Sequence, residues 1–291
     1  MFVRKVLAGV VLCACATGSA WADSASVLEP DRHWIPVSGS LTVDYETKVL
    51  SYGLPDSDDP NFLPYGSLTF FDTFSAGAKF YIDTSRIGER MGRGDCSWNI
   101  WEVDFPADLR HTFTPEEVPG LPTSVEVGVG YRYEYHPRRL EIRDTQFWLA
   151  DVSLLDLWLV PCLSYERDVI RDHGTYLNLC ISKELQILEN VSLTPALAQG
   201  WGDCKRVRSY LPAPDLERGL NRAGLMDTML KLTVSWQIAE GLTLAGFVAY
   251  SDFLFDRHVR DASRSYIRQC DGGRRNHSWS FPCGISLTYE F

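Results

Sequence analysis

Trp279-Ser280-Phe281-Pro282-Cys283-Gly284-Ile285-Ser286-Leu287-Thr288-Tyr289-Glu290-Phe291 ends the chain, and its reading decides the fold. Large apolar side chains and small or polar ones alternate to the last residue. A period of two is a strand with one greasy and one hydrophilic face. Chain ends usually fray into water, so an aromatic residue completing such a face at the terminus is out of place in a water-soluble fold. The pattern suits a strand whose apolar face meets lipid and whose polar face meets a lumen.

The other end of the chain agrees. Arg4 and Lys5 precede an apolar run from Val6 to Ala16, and Ala20-Trp21-Ala22 is an A-x-A site. This is the layout of a secretory signal peptide, with cleavage expected between Ala22 and Asp23. Removing residues 1–22 leaves 269 residues and moves the formal charge from −10 to −12. An acidic chain of this kind has no nucleic-acid footprint. No later stretch approaches the ~20 apolar residues of a membrane-spanning helix. Eight cysteines become six, and export makes disulfides permissible. No C-x-x-C occurs, so zinc-ribbon and thioredoxin readings fall away.

Alternating runs recur along the whole chain, separated by turns. After a short periplasmic lead-in (residues 23–37), residues 38–291 read as one barrel of about twelve strands. Leu41 to Val49 is the first strand. Gly66 to Ser85 is too long for a single membrane strand of ~9–11 residues, and it splits at Asp72–Ser75. Trp101 to Arg110, Ser124 to His136, Thr145 to Leu155 and Trp158 to Asp168 follow. Gly174 to Glu184, Val191 to Trp201, Met226 to Gln237 and Leu242 to Phe253 lead to the closing strand. Bacterial barrels have even strand numbers, short periplasmic turns and longer outer loops. On that rule Ser51–Pro64, Arg86–Ser97, Gly202–Gly224 and Leu254–Ser278 are outer loops.

The terminal Tyr289-Glu290-Phe291 resembles the C-terminal signature of Gram-negative outer-membrane β-barrel proteins. Pro64 to Tyr81, Glu102-Val103-Asp104 and the segment from Trp158 through Gly174-Thr175-Tyr176 add a resemblance to the TorF-type porins, small outer-membrane barrels assigned a channel role. The resemblance implies an all-β, antiparallel up-and-down barrel in the cell outer membrane acting as a passive channel. It implies no catalytic residue. Six cysteines in the mature chain depart from that pattern.

Alternation assigns a set of charged side chains to the lumen: Asp44, Glu46, Lys48, Glu102, Asp104, Asp108, Arg110, Glu126, Arg132, Glu134, Asp227 and Lys231. Such charges either set the ion preference of a pore or pair with one another and fill it; a twelve-strand barrel lies between the side-chain-filled eight and the open sixteen. Arginines such as Arg143, Arg171, Arg206, Arg257 and Arg264 concentrate in the expected outer loops, where they suit lipopolysaccharide phosphates or anionic solutes. Cys162 and Cys180 lie equidistant from a hairpin centred near Arg171, which makes a cross-strand disulfide possible. Cys283 is expected to face lipid and stay free.

The functional expectation is therefore a channel for small hydrophilic solutes, in contact with outer-membrane lipid and lipopolysaccharide, without cofactor, metal or catalysis. Two alternatives are a structural or adhesion barrel with a plugged lumen and an outer-membrane hydrolase. For the last, His258 with Asp261, Ser263 and Ser265 supplies the right residue types.

Overall fold

The computed structural model describes residues 36–57, 59–84, 99–137, 143–211, 220–270 and 277–291. The signal peptide, its cleavage point and nearly all of the lead-in lie outside them. In chain order the elements are β1 (Val37–Glu46), β2 (Val49–Ser51), β3 (Leu54–Ser57), β4 (Asn61–Phe70), β5 (Phe74–Asp83), β6 (Asn99–Phe113), β7 (Val125–Tyr135) and β8 (Thr145–Leu154). There follow β9 (Val160–Asp168), β10 (Thr175–Ser182), β11 (Leu185–Leu188), β12 (Val191–Gly202), helix α1 (Cys204–Tyr210), β13 (Gly224–Ala239), β14 (Leu242–Asp252), helix α2 (Arg257–Cys270) and β15 (Cys283–Glu290).

The wall is a closed antiparallel ring of twelve strands, ordered β1-β4-β5-β6-β7-β8-β9-β10-β12-β13-β14-β15. The first and last strands seal it. Val43 lies opposite Leu287 and Ser40 opposite Glu290, and the Phe291 amide donates to the Gly39 carbonyl. On the far side β10 pairs with β12, with Cys180 opposite Ala198. Closure pairs each of the twelve wall strands on both sides, where lipid would penalise an open edge by several kcal/mol per unsatisfied group. The break in the long 66–85 run is real: Phe71 and Asp72 both adopt positive φ, the geometry of a tight hairpin turn.

Alternation holds on most wall strands. Leu230, Leu232, Val234 and Trp236 on β13 are each exposed by about 40–50 %, as are Leu287 and Tyr289 on β15, whereas Lys231, Thr233 and Ser235 between them are shielded. This is an inverted molecule, with its apolar side chains turned away from the axis.

Two bulges break the expected parity. Between Tyr81 and Ile82 the β5–β6 register shifts, and Trp101, expected to face outward, is 5 % exposed with its Nε1 donating to Asn61 Oδ1 at 2.9 Å. Between Gln199 and Trp201 the β12–β13 register shifts by one residue. Met226 is then fully buried instead of lipid-facing. In each case one strand carries an extra residue, which re-aims its neighbours. At the terminus, strand geometry begins only at Cys283, because Pro282 lacks the amide a ladder needs.

The loops differ most from expectation. Ser51–Pro64 read as an irregular outer loop, yet β2 and β3 make a hairpin there. The 202–224 and 254–278 connections each contain a helix. These pieces bury the one large dry cluster among the described residues: Leu54, Val207, Leu211, Leu220, Met226, Phe253, Val259, Ala262 and Ile267. It lies where the long connections meet, away from the mouth that carries the chain terminus and the short turns.

Candidate functional site: a charged lumen narrowed by an inward hairpin

The lumen has two polar regions. Near the short-turn mouth, Arg110 on β6 gathers three carboxylates. Its Nε donates to Asp108 at 3.0 Å, its Nη1 to Glu126 at 3.2 Å, and its two Nη groups fork onto Asp151 at 3.0 Å each. Arg110 and Asp151 lie on strands either side of β7, both opposite Gly128. A Cβ at Gly128 would come within 2.6 Å of Asp151 Oδ1, so glycine is what lets the guanidinium reach across the intervening strand. The Arg110 side chain is 45 % exposed, so this cluster is hydrated.

The second region lies toward the long connections. The β2–β3 hairpin turns at Tyr52 and Gly53, with φ of 51° and 82°. A Cβ on Gly53 would meet the Asp227 Cβ at 2.4 Å, which places the hairpin tip against the barrel wall at β13. The Tyr52 hydroxyl donates to Glu166 on β9 and accepts from Arg206 Nη1 at 3.2 Å. Its ring stands edge-on to Tyr176 on β10 and Tyr210 on α1, with centroids 4.6 and 4.5 Å away. The hairpin therefore folds into the lumen rather than out into solvent.

Arg206 is the anchor. Asp203 caps α1, accepting from the Lys205 and Arg206 amides, and this fixes where the Arg206 side chain starts. That side chain is wholly buried, 3.4 Å from Glu166 and 3.6 Å from Asp172. The guanidiniums of Arg132 and Arg206 lie 4.6 and 5.5 Å from the buried Phe147 ring. Arg132 Nη2 reaches both Glu134 and Glu166, at 2.9 and 2.8 Å. Arg171 donates to the Tyr210 hydroxyl at 2.6 Å, and burial pushes that phenol well above its ordinary pKa. Between hairpin and wall remains a cavity of about 700 Å³. Acids (Glu102, Asp104, Glu134, Glu166) and arginines (Arg132, Arg143, Arg171) both line it.

Most of the charges assigned to the lumen fall into these regions. Asp108, Arg110 and Glu126 join the first; Glu102, Asp104, Arg132 and Glu134 join the second. Asp227 accepts from the Tyr176 hydroxyl at 2.9 Å, and Lys231 Nζ lies 4.3 Å from the Phe247 ring. Asp44 and Glu46 lie on β1, where Asp44 is opposite Ser286 and Glu46 opposite Gly284. Lys48 lies in the short link between the end of β1 at Glu46 and the start of β2 at Val49. Arg206 is fully buried in the second network, so it is not open to lipopolysaccharide phosphates as an outer-loop arginine would be. Asp151, Tyr52 and Tyr176 were missed; a hairpin entering the lumen has no short sequence signal.

Cys162 and Cys180 are direct cross-strand partners, and both are free thiols here, as are Cys204 and Cys283. Cys96 lies outside the described residues. Ser263 of the hydrolase reading does not meet His258. Ser263 is fully buried and donates to the Arg260 carbonyl at 2.8 Å, whereas His258 lies exposed one and a half turns earlier on α2. His136 Nε2 lies 3.0 Å from Glu102 Oε2.

A closed antiparallel ring with an outward apolar band suits a lipid bilayer. This is the fold of a transmembrane β-barrel. No family model matches the chain. No curated relative matches it by sequence. Solved structures of similar layout include the KdgM porin (9 % identity, 87 % of this chain and 99 % of that one, TM-score 0.48). Others are the COG4313 outer membrane channel from Pseudomonas putida F1 (10 %, 91 % and 100 %, 0.48) and the NanC porin (10 %, 86 % and 98 %, 0.46).

Proposed function

We propose that this barrel is a narrow porin-like channel through which small hydrophilic solutes diffuse passively along a charged lumen. The observation that carries the reading is the water-accessible cavity of about 700 Å³ between hairpin and wall, lined by carboxylates and guanidiniums together. A lumen meant only to be filled has no need of such a space, and side chains of both signs create a transverse field that favours hydrated polar solutes over apolar ones. By the general rule for bacterial barrels, the long connections face outward and the short turns face the periplasm. Solutes then meet the hairpin first and the Arg110 cluster second.

One observation favours a second reading. The hairpin tip is held by a fully buried arginine, two tyrosines and a largely buried carboxylate, which is firm fixation for a movable constriction. A structural or adhesion barrel with a plugged lumen would look the same on this side. Liposome swelling with graded sugars separates the two. Swelling that falls off with sugar size supports the channel; no swelling with any sugar, from liposomes shown to contain folded barrel, supports the plug. On the outer side Arg257 on α2 is 84 % exposed, and we assign this helix's polar face to lipopolysaccharide phosphates.

A further inference from the structure

Four ionisable side chains, Glu102 and Asp104 on β6, Glu134 on β7 and His136 just past its end, share a cavity wall in a grouping that diffusion does not require. Asp104 and Glu134 are direct cross-strand partners. Glu102 and His136 flank them two residues away, and all four line the cavity. Like charges opposite one another on neighbouring strands repel. Burying a carboxylate without full compensation is costly, and the compensation here is incomplete. Arg132 serves Glu134 but is shared with Glu166. The Tyr81 hydroxyl donates to Asp104 Oδ2 at 3.1 Å. The other oxygen, Asp104 Oδ1, is buried without a hydrogen-bond partner, on a residue only 5 % exposed. Such an orphaned acceptor calls for a missing cation or donor.

The geometry points to a cation. Ligand atoms of Glu102, Glu134 and His136 all lie within 4.8 Å of one another. Two atoms bound to one ion at ~2.1 Å can stand at most ~4.2 Å apart, so the set has to contract by roughly 0.6 Å. Side-chain rotation supplies that without moving the strands. We propose that Glu102, Glu134 and His136, in the same cavity wall as Asp104, bind a divalent transition-metal ion of the Zn²⁺ or Co²⁺ type. One imidazole among carboxylates suits these ions better than Ca²⁺ or Mg²⁺, which take oxygen ligands. The ion replaces a repulsive cluster with a neutralised one and offers an open position to an anionic solute in the cavity. The site stands whether or not the lumen conducts.

The test is Co²⁺ titration of the full-length mature chain, refolded in detergent micelles and followed by visible absorption. The expected result is one equivalent bound with nitrogen–oxygen ligand-field bands. Binding weakens on the order of tenfold or more in His136→Gln and in Glu102→Gln and is unchanged in His258→Gln. Three results would overturn the proposal: no Co²⁺ bound by the folded parent, a thiolate charge-transfer spectrum showing that cysteines hold the ion, or parent-like binding in both cavity variants. If a variant fails to refold, the parent spectrum alone still decides between the cavity grouping and the thiols.

Discussion

Arg110 and Arg206 each meet several acids inside the same barrel, and almost everything else about them differs. Arg110 grows from a wall strand, spans Gly128 to reach Asp151, and keeps 45 % of its side chain in contact with solvent. Arg206 grows from a helix in a connection, is fully buried, and locks a hairpin tip against the opposite wall. A hydrated ion pair contributes little to stability, typically up to ~1 kcal/mol, but its charge is felt by passing solutes. A buried pair adds uncertain net stability while intact, and breaking one side of it is expensive. The wall arginine therefore acts on what passes, and the loop arginine on what can pass.

That contrast sets an order of expected effects. Arg206→Ala takes the ion-pair partner from the buried Asp172 side chain and leaves Glu166 to Arg132 alone, and it should destabilise the folded barrel by about 3–5 kcal/mol. Chemical unfolding of the refolded protein in detergent reads this directly, and a loss below 1 kcal/mol would erase the distinction from Arg110. Gly53→Val comes next. It forces a β-branched residue into positive φ, at about 1–2 kcal/mol, and drives a Cβ into Asp227. Hydrogen exchange should then quicken at the amides of Ser51 to Leu54 while the wall amides stay protected; equal protection would mean the tip is not held there. Arg110→Gln should change stability by less than about 1 kcal/mol and shift reversal potentials in planar bilayers toward cation selectivity. An unchanged reversal potential would remove Arg110 from the solute path.

The smallest effect belongs to the short-turn rim. Asp156 accepts the Ser124 amide at 2.8 Å, and its own amide donates to Thr123 Oγ1 at 3.0 Å, tying two connections together. Hydrogen bonds from Ser124, then Thr123, hold its carboxyl below the usual carboxylate range. A lowered folded-state pKa contributes stability above the unfolded value of about 3.9 and loses it as pH falls through the folded one. The parent should therefore lose slightly more thermal stability than Asp156→Asn between pH 5 and pH 2; identical pH profiles would contradict the link.

How legible each region was follows the same divide. Wall strands obey a period of two because lipid lies on one side and water on the other, so Leu230 to Trp236 and Ile285 to Tyr289 could be read without coordinates. Within the wall, the bulges at Trp101 and Met226 escaped, since one extra residue in a strand leaves no mark in an alternating pattern until its partner strand is known. The loops hid more. Val207 and Leu211 are spaced four apart, and Val259, Ala262 and Ile267 recur at helical intervals, which is a signal for amphipathic turns. It was masked by the arginines around it. Which way Tyr52 points depends on Arg206, 154 residues distant, and no local pattern carries that.

The most direct test of the inward hairpin is single-channel conductance in planar bilayers, comparing the parent barrel with one whose residues 49–57 are replaced by a short glycine–serine link. Removing a segment that occupies the lumen predicts a larger conductance through an otherwise intact barrel. Equal conductance would place the hairpin outside the permeation path and contradict the account.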